Sequence, residues 1–167
     1  MEATLCTIGF AGKTAEEFFS LLTEAGVTRL IDIRENRVGQ LSAFAKYPDL
    51  EYFLARVCGI VYFYEPRLAP TPEIREAYRA TNEWPAYEAA FLQLMGERGI
   101  PDCLDSAMFE GTVALLCSEP EPERCHRRLV AELLRQRGEE LKYNIQVRHL
   151  TINNKKQSSR KKRRTSG

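Results

Sequence analysis

Apolar residues gather in five short runs, and the passages between them carry helical spacing or turn signals. The first run, "TLCTIGF", is β-branched and ends at Gly9, which predicts a strand. Thr14 with Glu17 three residues on forms a capping box that opens "AEEFFSLLTEAG". In that helix Phe18, Leu21, Leu22 and Ala25 make the apolar stripe, and Gly26 ends it. "VTRLIDIR" reads as a second strand, "DLEYFLARVCG" as a helix and "IVYFYE" as a third strand. After the Pro-rich "EPRLAPTPEI", the segment "IREAYRATNEWPAYEAAFLQLMGERG" supplies helical pieces broken near Pro85. "TVALLCSE" is a continuous apolar run of the kind buried on both faces of a parallel sheet. Pro122 at a first helical position predicts the start of "PERCHRRLVAELLRQRG", with Leu129, Leu133 and Leu134 spaced to meet the sheet. "IQVRHL" is the expected last strand.

Strands joined by helical crossovers require parallel pairing and right-handed connections. The expectation is one three-layer α/β domain over residues 1–152, with a mainly parallel, Rossmann-like sheet of about five strands. In such sheets ligands bind beyond the carboxyl ends of the strands, at the switch in strand order. The residues at those ends are Gly9, Phe10 and Lys13, then Asp32 and Arg34, then Tyr64 and Glu65, and finally Cys117 and Glu119.

Charge changes this picture in one respect. The 13 residues from Lys155 read "KKQSSRKKRRTSG", with seven basic side chains and no acid; they leave seventeen of the 24 Lys and Arg against all 23 acids in residues 1–154, a net charge of −6. Residues 153–167 are therefore expected to be a disordered basic tail, attracted to polyanions in a salt-dependent way. The acidic body argues against a surface that coats nucleic acid broadly, so polynucleotide binding would rest on the tail and a local pocket. No apolar run of membrane-spanning length exists, and "MEATLCTIGF" lacks the basic and apolar regions of a signal peptide, so a cytoplasmic protein with no membrane partner is expected. Five cysteines without a paired CxxC motif predict reduced thiols and no zinc framework.

Candidate chemistry concentrates in "LLCSEPEPERCHRRLV", Leu115 to Val130. Cys117 stands where a strand gives way to a loop, and a helix N-terminus with arginines nearby would favour the thiolate of a nucleophile. That layout is similar to rhodaneses and cysteine phosphatases, and "LIDIRE" is similar to a rhodanese strand; the phosphatase pattern, however, needs an arginine six positions after the cysteine, where Glu123 stands. The alternative for Cys117 is a packed strand-end thiol. Cys117, Cys125 and His126 do not make a convincing metal set, because adjacent helical residues point about 100° apart; no metal or other cofactor is expected. The reading preferred over the thiols is a charged cluster. His126 and Arg127 lie in the first turns of that helix, whose N-terminus faces the strand ends and favours anions. Arg34 and Arg37 arrive from the second strand, Lys13 and Gly9 from the first, and together with Arg127 these are the expected substrate-binding residues. Glu119, His126, Asp32 and, less centrally, Cys117 are the expected acid, base or nucleophile. The substrate would be a nucleotide, a nucleic acid or another anion, and the competing function is an anion- or nucleic-acid-binding module without turnover.

The sequence also resembles a known family, the domain of unknown function 488 family. The resemblance is carried by "TIGF" at Thr7 to Phe10, "IDIRENRVGQLSAFAKYPDL" at Ile31 to Leu50 and "EPRLAPT" at Glu65 to Thr71. It continues through "WPAYEAAFLQLM" at Trp84 to Met95 and "ALLCSEPEPERCHRRLVAELL" at Ala114 to Leu134. One departure is Phe10, where the resemblance leads one to expect histidine. The basic tail lies outside the family pattern, and the resemblance implies no particular reaction.

Overall fold

The computed structural model describes residues 2–152, in which strands and helices alternate. Strands β1 (Glu2–Gly9), β2 (Arg29–Asp32), β3 (Val61–Tyr64), β4 (Val113–Cys117) and β5 (Asn144–Leu150) form one sheet in the order β3-β2-β4-β1-β5. Every neighbouring pair is parallel. The crossovers contain α1 (Ala15–Glu24), α2 (Asp49–Phe53) with a π-helical turn continuing over Leu54–Cys58, α3 (Pro72–Thr81), α4 (Trp84–Glu97) and α5 (His126–Glu140). This is the α/β fold that the alternation of apolar runs predicts.

Period-two alternation along the central strands divides the core between the two faces of the sheet. From β4, Val113, Leu115 and Cys117 join Phe91 and Met95 of α4 and Leu129 and Val130 of α5 on one face. Ala114 and Leu116 join Phe18 and Leu22 of α1 and Leu50 and Leu54 of the α2 region on the other. All five β4 residues are buried, as a strand covered on both sides requires. Each large apolar side chain so enclosed contributes about 1.5–3 kcal/mol.

Local signals set the helix limits. Thr14 and Glu17 exchange the two hydrogen bonds of a capping box, at 2.9 and 3.1 Å. Asn82, in the left-handed region at φ 55°, ends α3, and Pro85 sits in the first turn of α4, which accounts for the break in the helical pattern. One boundary differs from the sequence expectation. Pro122 does not open the last helix; α5 begins at His126, with Cys125 as its N-cap. Residues 118–124 instead form a loop whose carbonyls at Glu119 and Pro120 turn inward to accept hydrogen bonds from Arg127. The proposed basic tail, 153–167, lies outside the described residues.

Among the described residues, no helix is long and apolar enough to cross a membrane.

Candidate functional site

The strand order places a switch between β2 and β4. From β2 the chain leads outward to β3, whereas from β4 it leads the other way, past β1 to β5. The crevice left between their carboxyl ends is where an open parallel sheet receives ligands. A cavity of about 350 Å³ lies there. Its floor includes Arg34, Glu35 and Asn36 after β2, Cys117, Ser118 and Glu119 at the end of β4, and Cys125 and His126 at the start of α5. Its far wall comes from α3 and α4, through Arg75, Tyr78, Arg79, Trp84 and Tyr87, and Arg124 completes the rim.

Arg34 is 3% exposed and pairs with the fully buried Asp32 in a two-pronged bond, Nε to Oδ1 at 2.8 Å and Nη2 to Oδ2 at 2.6 Å. Nη2 also donates to the Ala45 carbonyl at 2.8 Å, and the Tyr62 hydroxyl donates to Asp32 Oδ2 at 2.8 Å. The remaining nitrogen, Nη1, is buried and has no partner among the described residues. Arg75 is in a similar state: it forms an ion pair with Glu35, yet its buried Nε is unmatched. Phe10, at the departure from the family pattern, lies 5.3 Å from the Arg34 guanidinium and lends it an aromatic face.

Behind the cavity floor, Arg127 is fully buried. Its Nη1 donates to Cys117 Sγ at 2.9 Å and to the Glu119 carbonyl, and its Nη2 donates to the Pro120 carbonyl at 3.2 Å. Among the described residues no carboxylate forms an ion pair with it. A guanidinium does not deprotonate in a protein, so this buried charge needs an anion, and the neighbouring thiol can supply one. Burial alone would raise the Cys117 pKa, but the hydrogen bond with Cys125 and the charge of Arg127 outweigh it and hold the thiol below its ordinary value. Cys125 moves the opposite way, well above the ordinary value, through burial and its bond to Cys117.

His126 Nε2 lies 3.1 Å from the Ile33 carbonyl, which can only accept, so Nε2 carries the proton and Nδ1 keeps its lone pair. Burial and the nearby Arg127 and Arg75 outweigh that hydrogen bond and push the imidazole down to about 4. Unfolded, the ring titrates near 6.5. As pH falls below that value the unfolded chain takes up a proton that the folded ring refuses, so stability is lost between about pH 6.5 and 4. The full effect is about 3 kcal/mol. Denaturant titrations of the His126→Gln protein should show a shallower acid slope than wild type across that window; equal slopes would contradict this environment for the ring.

The cavity brings together Arg34, Cys117, Glu119 and His126 of the residues singled out in the sequence, with Asp32 and Arg127 directly behind them. Glu119 is exposed there, and among the described residues nothing pairs with its carboxylate. Three expected substrate-binding residues lie elsewhere. The Arg37 guanidinium sits 3.7 Å from the Tyr47 ring centre and 4.0 Å from that of Tyr64, a stacked position that ties the loop after β2 to β3. Lys13 is partly buried on the Arg127 side, its ammonium pKa lowered by burial and by repulsion from Arg127. Gly9 serves close approach: a Cβ there would overlap the Glu119 carbonyl and come within 2.8 Å of Arg127 Nη1. The α3–α4 wall was not anticipated. Arg75, Tyr78 and Arg79 at i, i+3 and i+4, followed by Trp84 and Tyr87 at i and i+3, form the arginine and aromatic stripe that could have marked it.

These elements define a parallel α/β domain with an arginine-lined cleft at its strand-order switch. The profile described as Domain of unknown function DUF488 matches residues 14–134, and the chain belongs to that family. Comparisons with curated proteins and with solved structures give no match.

Proposed function

We propose that the protein is an enzyme acting on an anionic substrate that carries a planar ring, with a nucleotide or nucleic-acid end as the best-fitting class. The observation that carries this reading is the gathering of Arg34, Arg75, Arg79 and Arg124 around one cleft, where Arg34 Nη1 and Arg75 Nε are two of the four buried arginine nitrogens without a partner among the described residues. A buried N–H without an acceptor costs about 1–3 kcal/mol, which an incoming phosphate or carboxylate would relieve. Four arginines against two glutamates give the lining a positive balance. Opposite them, Trp84 and Tyr87 stack at 4.8 Å with Tyr78 against their edges, an aromatic wall suited to a base or similar ring.

In this reading Asp32 holds Arg34 in place, and Glu119, exposed and unpaired, is the acid or base. His126 is neutral at ordinary pH and acts as a hydrogen-bond acceptor through Nδ1, too weak a base to take a proton outright. A nucleic-acid substrate would also draw on the positive charge from Lys155 onward, so truncation after Asn154 should flatten the salt dependence of polynucleotide binding.

Thermal unfolding in low salt tests the substrate class. A nucleoside monophosphate at a hundred times its Kd should raise Tm by roughly 5 °C or more, with smaller shifts from the nucleoside or inorganic phosphate alone. Absence of any shift across purine and pyrimidine monophosphates would rule the class out. Glu119→Gln should retain that shift and lose turnover. Binding without turnover is the second reading, favoured by the complete burial of the Cys117 side chain; a wild-type protein that binds a nucleotide and returns it unchanged would select it.

A further inference from the structure

We infer that Cys117 and Cys125 form a peroxide-sensitive redox couple, in which a hydroperoxide oxidises Cys117 and Cys125 resolves the product to a reversible disulfide. The inference is independent of which ligand fills the cleft.

The sulfur atoms are 2.8 Å apart, against about 2.05 Å in a disulfide, so bond formation requires less than about 1 Å of approach. Both thiols are reduced and both residues border the cleft, but their side chains are only 0% and 2% exposed, so a small peroxide reaches Cys117 through a local opening of the cleft floor. Arg127 donates to Cys117 Sγ at 2.9 Å and reaches Cys125 Sγ at 3.7 Å. Since no carboxylate among the described residues pairs with this guanidinium, the anion that balances it is the thiolate. The bond between the two sulfurs then has Cys125 S–H as donor and the Cys117 thiolate as acceptor. One sulfur is thereby ready to attack and the other keeps its proton, the division of roles that a reactive and a resolving cysteine require.

In the first step the Cys117 thiolate attacks one peroxide oxygen. An S–O bond forms and the O–O bond breaks, and the departing alkoxide or hydroxide takes a proton from solvent. The peroxide is reduced to an alcohol or water, and Cys117 is oxidised to the sulfenic acid. In the second step the Cys125 sulfur attacks Cys117 Sγ, the S–S bond forms, the S–O bond breaks, and the leaving hydroxide departs as water with the Cys125 proton. A dithiol reductant returns both thiols by exchange. The two cysteines bracket residues 118–124, so the disulfide would close the loop that carries Glu119 and Arg124.

The test treats the folded, full-length protein with equimolar hydrogen peroxide, blocks remaining thiols and maps tryptic peptides by mass. Cleavage after Arg124 separates the two cysteines, so the expected product is a cross-linked pair of peptides two hydrogens lighter than the free pair and restored by dithiothreitol, with fragment-ion sequencing placing the link at Cys117 rather than at Cys103 on the same 99–124 peptide. In Cys125→Ser, or Cys125→Ala where serine fails to fold, the same treatment should leave Cys117 as a sulfenic acid trapped by dimedone. Oxidation confined to the exposed Cys103 while Cys117 and Cys125 remain free thiols would overturn the inference. So would a Cys125 variant that folds but yields no Cys117 adduct.

Discussion

Replacing Gly9 with alanine is expected to destabilise the fold by about 4 kcal/mol or more, the range reserved for substitutions that force the backbone to move. Gly9 pairs with Cys117 across the β1–β4 ladder, and the 118–120 loop folds back directly over it. An added Cβ would lie 2.7 Å from the Glu119 carbonyl carbon and overlap its oxygen, with Arg127 Nη1 at 2.8 Å on another side. Neither obstacle is the loose end of a side chain: the carbonyl belongs to the backbone, and the guanidinium is clamped by its bonds to Cys117, Glu119 and Pro120. The strain cannot be relieved without displacing the loop that carries Glu119, so cleft and core should suffer together. Urea unfolding followed by circular dichroism measures the loss; a difference within 1 kcal/mol of wild type would contradict the close packing described.

The second large effect is expected from Arg127→Ala, at about 3–5 kcal/mol. Among the described residues this is the largest fully buried side chain, and its removal leaves two inward-facing carbonyls without donors and the Cys117 sulfur without the guanidinium that lowers its pKa. The thiol should respond by taking up its proton. Arg127→Lys keeps the charge but loses the fork, so it should fold with a smaller loss while the Cys117 pKa rises. Alkylation of Cys117 as a function of pH in the lysine variant reads this directly, and a profile unchanged from wild type would show that Arg127 does not lower the Cys117 pKa.

The strands were legible because each is a short apolar run bounded by turn residues, and a parallel sheet buries such runs on both faces. The cluster around Cys117 and His126 was legible for a related reason, since strand ends and helix starts are adjacent in the sequence. What pattern alone does not report is which distant segment closes over those ends. Arg75 and Trp84 are more than thirty residues from Cys117, and their place in the wall depends on how α3 and α4 pack, which is a tertiary outcome. Arg37 shows the complementary gap. As a charge near β2 it reads as an anion ligand, but whether it faces a cavity or two tyrosine rings depends on Tyr47 and Tyr64, contributed by a later loop and by β3. The start of α5 lies at His126 rather than Pro122: the Cys125 N–H closes a turn on the Pro122 carbonyl at 3.2 Å, and the Glu119 and Pro120 carbonyls just before it are held inward by Arg127. A proline signal is local and marks a turn as readily as a first helical position.

The central claim is that the cleft between β2 and β4 receives an anion through its arginines. Calorimetric titration of a nucleoside monophosphate into wild-type protein and into an Arg79→Glu/Arg124→Glu double variant tests it most directly, because both side chains are exposed at the cleft and their replacement leaves the core intact. Saturable one-to-one binding to wild type, weakened about tenfold or more in the double variant and weakened by salt in wild type, is the predicted result. Equal affinity in the two proteins, or no saturable binding to either, would contradict it.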